Sequence, residues 1–248
     1  MQPAFCLQAI FMIGILVQLA ISWLLVWIIE KKDLSVLGLK PTRKRVVDFL
    51  SFFLLASACS ASGFIFRMLF AREYWELNPQ LDFSLIMTGL WWNIKAVLFE
   101  ELIFRGVLLF ILIKRVGATA AIIVSAIAFG IYHWFSFEVI GHPGAMAFVF
   151  FTTGVAGLLY AYAYAKTCSL YIPIALHLGW NFIRIFVFSE GPIGNGILVP
   201  VKPAPVVQVS WFIYFIVIWL PVLSWLLFSF ILLRRKKSVK FKQEQVVG

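Results

Sequence analysis

Long apolar runs separated by short polar stretches make up the pattern of this chain. Runs at 5–29, 46–70, 82–115, 118–135, 145–165, 170–188 and 211–233 are each long enough for a spanning helix. They predict an all-α polytopic membrane helical bundle of about seven transmembrane helices, six to eight as boundaries shift. The third run is too long for a single crossing. At ~1.5 Å per residue it would reach about 50 Å, against a hydrocarbon core of roughly 30 Å. An interfacial helix at 81–92, or a break or tilt there, is therefore expected. Seven spans place the N-terminus outside and the C-terminus in the cytoplasm. The first run is too long for the ~7–15-residue core of a signal peptide, and no Lys or Arg precedes it, so it reads as a retained helix. Residues 1–233 read as one membrane-embedded domain with its motif core at 95–190. Residues 234–248 read as a basic cytoplasmic tail, disordered beyond the membrane surface.

Composition narrows the class. Hydrophobic residues are 62% of the 248 and charged residues 13%, which a soluble domain of this length could not bury. The net charge is +10, a value that in a soluble protein could point to nucleic acid. Its distribution argues against a nucleic-acid partner. Fifteen of the 21 cations lie at 31–45, 114–115, 166 and 234–242, in connections and the tail, which is the positive-inside pattern. Cys6, Cys59 and Cys168 form no C-x-x-C and lie in or beside apolar runs, so neither a disulfide framework nor a thiolate metal site is expected.

The chemistry lies in ionisable residues within spans: Glu100, Glu101 and Arg105, then His133, then His177 with Asn181. Three unpaired charges at Glu100, Glu101 and Arg105 would cost roughly 8–10 kcal/mol on insertion scales, comparable to the whole stability of a typical protein at about 5–15 kcal/mol. They must be paired, hydrated or turned to a cavity. Glu101 and Arg105 are spaced i, i+4 and can pair. Glu100 is rotated by about 100° from that pair and is the candidate general base. His177 and Asn181 are also i, i+4. So are Phe129 and His133, with Gly130 permitting close approach. One carboxylate, two imidazoles and an amide form a hydrolytic set. Glu100, with His133, could deprotonate a water while His177 and Asn181 stabilise an oxyanion. Alternatively, His133 and His177, with a carboxylate or Asn181, could hold a zinc ion that activates the water. The spacing favours neither version.

These three segments resemble the motifs of the CPBP family, which holds the type II CAAX prenyl endopeptidases and the bacteriocin-processing Abi proteins. E-E-x-x-x-R matches Glu100, Glu101 and Arg105; F-x-x-x-H matches Phe129 to His133; H-x-x-x-N/D matches His177 to Asn181. The resemblance implies an intramembrane endopeptidase whose catalytic set is Glu100, His133 and His177, supported by Asn181. It leaves open a metalloprotease or a metal-free glutamate mechanism. The substrate it implies is a membrane-associated protein or peptide, lipid-modified in CAAX processing, and the setting is a multi-pass protein of a prokaryotic cell membrane. Two other classes compete. One is a non-catalytic immunity or assembly protein holding a peptide through the same cluster; the other is an ion or proton carrier.

Arg184 follows Asn181 by three residues on the same face and is a candidate for a substrate carboxylate or an anionic head group, against a plain snorkelling cation. Arg67 and Lys95 are expected to snorkel as well, and His142 to be a loop histidine.

Overall fold

The computed structural model describes residues 2–191, 194–202 and 209–239, with side chains from residue 13 onward. The Cys6 side chain, and the tail from Lys240 on with Lys242 and its expected disorder, lie outside the described residues. In chain order the elements are α1 (Gln2–Glu30), a 3-10 turn (Leu34–Leu37), α2 (Arg43–Phe70), β1 (Trp75–Leu77), α3 (Phe83–Arg105), α4 (Val107–Val116), α5 (Ala118–Ser136), α6 (Pro143–Thr167), α7 (Tyr171–Asn181), a π-helix (Phe182–Val187), β2 (Leu198–Pro200) and α8 (Trp211–Arg234). This is an all-α membrane protein. Among the described residues five helices, α1, α2, α5, α6 and α8, are long and apolar enough to cross a bilayer.

The long third run divides at a different place from the one expected. Residues 83–105 are one continuous helix, and the break falls at Gly106, between α3 and α4. The glycine explains it. A Cβ at Gly106 would stand 2.1 Å from the Leu102 carbonyl oxygen, so only a residue without a side chain lets the chain turn there. The break comes directly after Arg105 and ends the helix that carries both glutamates.

Two compact units emerge. The first comprises Met1–Val46, Leu98–Ile174 and Leu232–Gly248; the second comprises Val47–Val97 and Ala175–Ile231. The core of the first unit joins Val26, Leu102, Phe110, Ile113, Ala161 and Tyr164. A short connection is fastened beneath it. The Tyr164 hydroxyl donates to the Val36 carbonyl at 2.8 Å, and the Leu170 N–H to the Leu37 carbonyl at 3.0 Å. Gly38 closes the 3-10 turn at φ +63°, and a Cβ there would lie 2.3 Å from the Cys168 carbonyl oxygen. At the other end of that turn the Asp33 carboxylate caps the Ser35 N–H at 2.8 Å. Hydrogen bonding from Ser35 holds the Asp33 carboxyl below its ordinary range. Burial pushes the neighbouring Cys168 thiol up to about 11.

The second unit is built on aromatic stacking. Phe64 and Phe188 stack at 3.9 Å between centroids, and Trp75 meets both edge-on at 5.4 and 5.3 Å. β1 and β2 pair antiparallel, Trp75 opposite Pro200 and Leu77 opposite Leu198. α7 lies close on α2 because residue 179 is glycine; a Cβ there would be 2.5 Å from the Phe53 carbonyl oxygen. Ser57 and Ser60 donate to the Gly179 and Trp180 carbonyls at 3.1 and 3.2 Å.

Lys114 was counted among the orienting cations, but its side chain is 7% exposed and paired with Glu30, itself 4% exposed; Arg115 approaches the other carboxylate oxygen at 3.7 Å. This ties α4 to α1. Breaking such a buried pair costs about 3–5 kcal/mol, because the surviving charge stays buried. Glu30→Gln should therefore lower the thermal unfolding midpoint of the detergent-solubilised protein, and Glu30→Gln with Lys114→Met should recover much of the loss. Equal midpoints for wild type and Glu30→Gln would show that the pair is not holding the two helices.

Candidate active site

In the first unit the three polar residues of α3 separate into two roles. Glu101 and Arg105 are both fully buried, with Arg105 Nη1 donating to Glu101 Oε1 at 3.2 Å. The guanidinium is stacked among rings. Its carbon lies 4.0 Å from the Phe129 centroid, 5.0 Å from Tyr160 and 5.7 Å from Phe104. Its second terminal nitrogen donates to the Gly157 carbonyl at 3.4 Å. Arginine suits this place because its planar, weakly hydrated cation can stack and donate at once.

Glu100 points elsewhere. Its Oε2 is 3.9 Å from His133 Nε2, and its side chain is 17% exposed where that of Glu101 shows none. His133 is oriented by its own helix, Nδ1 lying 2.8 Å from the Phe129 carbonyl oxygen. A carbonyl only accepts, so Nδ1 carries the proton and Nε2 is the nitrogen presented to Glu100. The Phe129 ring packs edge-on against the imidazole at 4.4 Å and against Phe104 at 5.1 Å. One aromatic residue thus touches both the structural cation and the histidine. The i, i+4 spacing anticipates the Glu101–Arg105 contact, and the structure shows it.

α5 and α6 approach closely enough for this because of small residues. A Cβ on Gly157 would be 3.1 Å from the Phe129 ring, 3.2 Å from the Ala126 Cα and 3.2 Å from Arg105 Nη2; one on Gly130 would be 2.8 Å from the Phe150 ring. Ser125 adds a bond from its hydroxyl to the Phe104 carbonyl at 2.8 Å.

In the second unit, α7 carries His177, which is 6% exposed, and ends at Asn181, where the π-helix begins. A π-turn widens the helix and often marks a functional position. Arg184 lies in that π-helix. Its Nη2 is 2.7 Å from Glu190 Oε2, and its side chain is 46% exposed. Glu190 also pairs with Arg67, which holds Glu73 at 2.5 Å. Arg67 therefore does not snorkel; it bridges two carboxylates and lies 4.9 Å over Trp75. Lys95 does not snorkel either, being 1% exposed with its ammonium 5.7 Å from the Trp91 ring. Glu73 and Glu190 were not singled out from sequence, whereas the small residue Gly157 of the fifth run is expected to permit close helix contact and does so. The Arg67–Glu190 pair joins residues 123 apart, a separation that no local pattern reports.

Among the described residues no three His, Cys, Asp or Glu side chains group as metal ligands. A catalytic zinc takes three protein ligands. His133, one of the two histidines expected to hold zinc, has one nitrogen already bonded to a carbonyl, leaving Nε2 and Glu100 as the donors of this pair.

Residues 82–183 match the family model described as Rce1-like, type II CAAX prenyl endopeptidase. The matched segment covers 102 of the chain's 248 residues. It takes in all three motifs and stops short of α1, α2 and α8. No curated protein and no solved structure matches the chain. With five helices among the described residues long and apolar enough to cross a bilayer, the match points to an integral membrane protein similar to CAAX-type proteases.

The glycine at the Rce1-like segment's α5–α6 contact gives a stability test. Gly157→Ala overpacks a site bounded by backbone and a stacked ring, which typically costs 1–3 kcal/mol and outweighs the gain of about 1 kcal/mol that Ala brings to a helix. Gly144, on the same helix, has nothing within 4 Å of an added Cβ. Thermal unfolding should show Gly157→Ala below wild type and Gly144→Ala at or above it. A Gly157→Ala midpoint equal to wild type would mean the contact is slack.

Proposed function

We propose that this protein is an intramembrane endopeptidase that cleaves near the C-terminus of a membrane-associated, CAAX-type protein or peptide, with Glu100 as the general base. The single observation that carries the reading is the approach of Glu100 Oε2 to His133 Nε2 at 3.9 Å. That is too long for a direct hydrogen bond. When His133 is neutral both atoms present lone pairs, so the group that satisfies both must donate twice. A water molecule donating two hydrogen bonds of about 2.8 Å spans acceptors about 4.4 Å apart when both are straight and about 3.9 Å apart when both are slightly bent. Held there, it has its protons directed at two bases and its own lone pairs free to attack a carbonyl carbon.

In the reaction that follows, the water oxygen adds to the scissile carbonyl and its proton passes to Glu100. The tetrahedral intermediate expels the amine as Glu100 returns that proton to the leaving nitrogen. By the resemblance of their motif, His177 and Asn181 are proposed members of the catalytic set, with hydrogen-bond donation to an oxyanion as their task. Glu101 and Arg105 hold the helix rather than react. The Rce1-like match, the split of the two glutamates and the His133 tautomer support this reading.

A membrane-tethered CAAX reporter tests it. Purified wild type in detergent or nanodiscs should release the C-terminal peptide, and Glu100→Gln should reduce kcat on the order of 10²–10⁴-fold with an unchanged unfolding midpoint. The wild-type rate should persist in chelator. Undiminished cleavage by Glu100→Gln would remove Glu100 as base, and a loss in chelator restored by zinc would assign the water to a metal. Cells protected by Glu100→Gln as well as by wild type would favour a non-catalytic immunity role.

Arg184 is proposed to receive the substrate carboxylate, exchanging part of its contact with Glu190. Arg184→Ala should raise KM for a free-acid C-terminus and leave that for the C-terminal amide unchanged. An equal effect on both substrates would leave Arg184 as the partner of Glu190 alone.

A further inference from the structure

We infer that the first unit carries a binding site for one anionic phospholipid at the basic end of α5 and α6, separate from the Glu100 cluster. A groove of about 500 Å³ opens there between the first turns of α5, the last turns of α6 and the start of the tail. That volume is in the range of sites that hold an organic ligand, roughly 300–1,000 Å³. Its lining is two-sided. Ile122, Ile123 and Ala165 make an apolar wall, whereas Thr119, Lys166 and Ser238 bring two hydroxyls and a cation to the rim. The tail forms one side and is fixed in place, the Val239 N–H donating to the Lys166 carbonyl at 3.1 Å.

Charge selects the occupant. Among the described residues no acidic side chain lines the groove, and the tail that closes it reads Arg234, Arg235, Lys236 and Lys237 just before Ser238. An anion is therefore favoured at the rim, and the apolar wall asks for a hydrocarbon chain beside it. Position selects the source. α5 and α6 are both candidate membrane spans, and the groove lies at their ends, where phosphate head groups stand and each nearby cation gains about 1 kcal/mol from an anionic surface. A phosphatidylglycerol-like lipid meets all three demands, with its phosphate at Lys166, Thr119 and Ser238 and an acyl chain along Ile122 and Ile123. Diffuse attraction by the tail alone would need no wall, and this difference makes the site testable without reference to proteolysis.

The full chain is placed in nanodiscs of mixed phosphatidylcholine and phosphatidylglycerol, one carrying a photoactivatable group. Crosslinking should label peptides containing 118–123, 162–166 or 238–239 from the anionic probe, several-fold more than from the zwitterionic one. Ile122→Trp fills the groove without changing charge and should reduce that labelling at least fivefold. Lys166→Gln should narrow the preference between the two lipids, while Lys202→Gln, an equal charge loss outside the groove, should not. Labelling absent from these peptides in wild type overturns the proposal even if a variant fails to fold. So does labelling that ignores Ile122→Trp, or that falls equally in Lys166→Gln and Lys202→Gln. Displacement of the probe by inorganic phosphate alone would also overturn it, since the apolar wall would then contribute nothing.

Discussion

The Arg105 guanidinium, with no exposure to solvent, is the constraint around which the first unit is arranged. A buried cation is tolerable only when its charge and its donors are answered nearby. Glu101 answers the charge one helical turn away, Gly157 supplies a carbonyl, and the rings of Phe104, Phe129 and Tyr160 supply their π faces. α3, α5 and α6 are thereby fixed relative to one another at a single point. The break at Gly106 follows at once, so the helix bearing the glutamates ends where its anchor is.

That anchor separates the two carboxylates of α3. Two adjacent carboxylates on one helix point about 100° apart, and once Glu101 is committed to Arg105, Glu100 faces His133. Phe129 links the two arrangements. Its ring lies against Arg105, and its carbonyl sets the His133 tautomer at 2.8 Å. The Glu101–Arg105 pair and the Glu100–His133 approach therefore share a support, and a disturbance at Gly157 would reach both.

In the second unit a different charge network does comparable work. Glu190 stands between Arg67 and Arg184, and Arg67 also takes Glu73. Pairing charges across loops lets polar residues sit beside the stack of Phe64, Trp75 and Phe188 without leaving a lone ion half-buried. The network also explains why cations that hydropathy would send to the surface turn inward. An arginine with a carboxylate in reach gains more from that pair than from extending to water.

The helical character, the membrane setting and the Glu101–Arg105 contact were legible in the chain itself. Each depends on residues within one run, where the 3.6-residue repeat converts spacing directly into geometry. The position of the break in the long third run was misjudged, because length shows that a run is too long but not where it yields. That was decided by the clash a Cβ at position 106 would meet with Leu102. The inward turn of Arg67 and Lys95 and the pairing of Lys114 with Glu30 are likewise matters of tertiary structure. Each depends on partners or surroundings that chain folding supplies from far along the sequence. Hydrophobic periodicity is a local property and so survives in the order of residues; the choice of partner for a buried charge depends on which distant groups arrive within a few ångströms, and only the folded chain determines that.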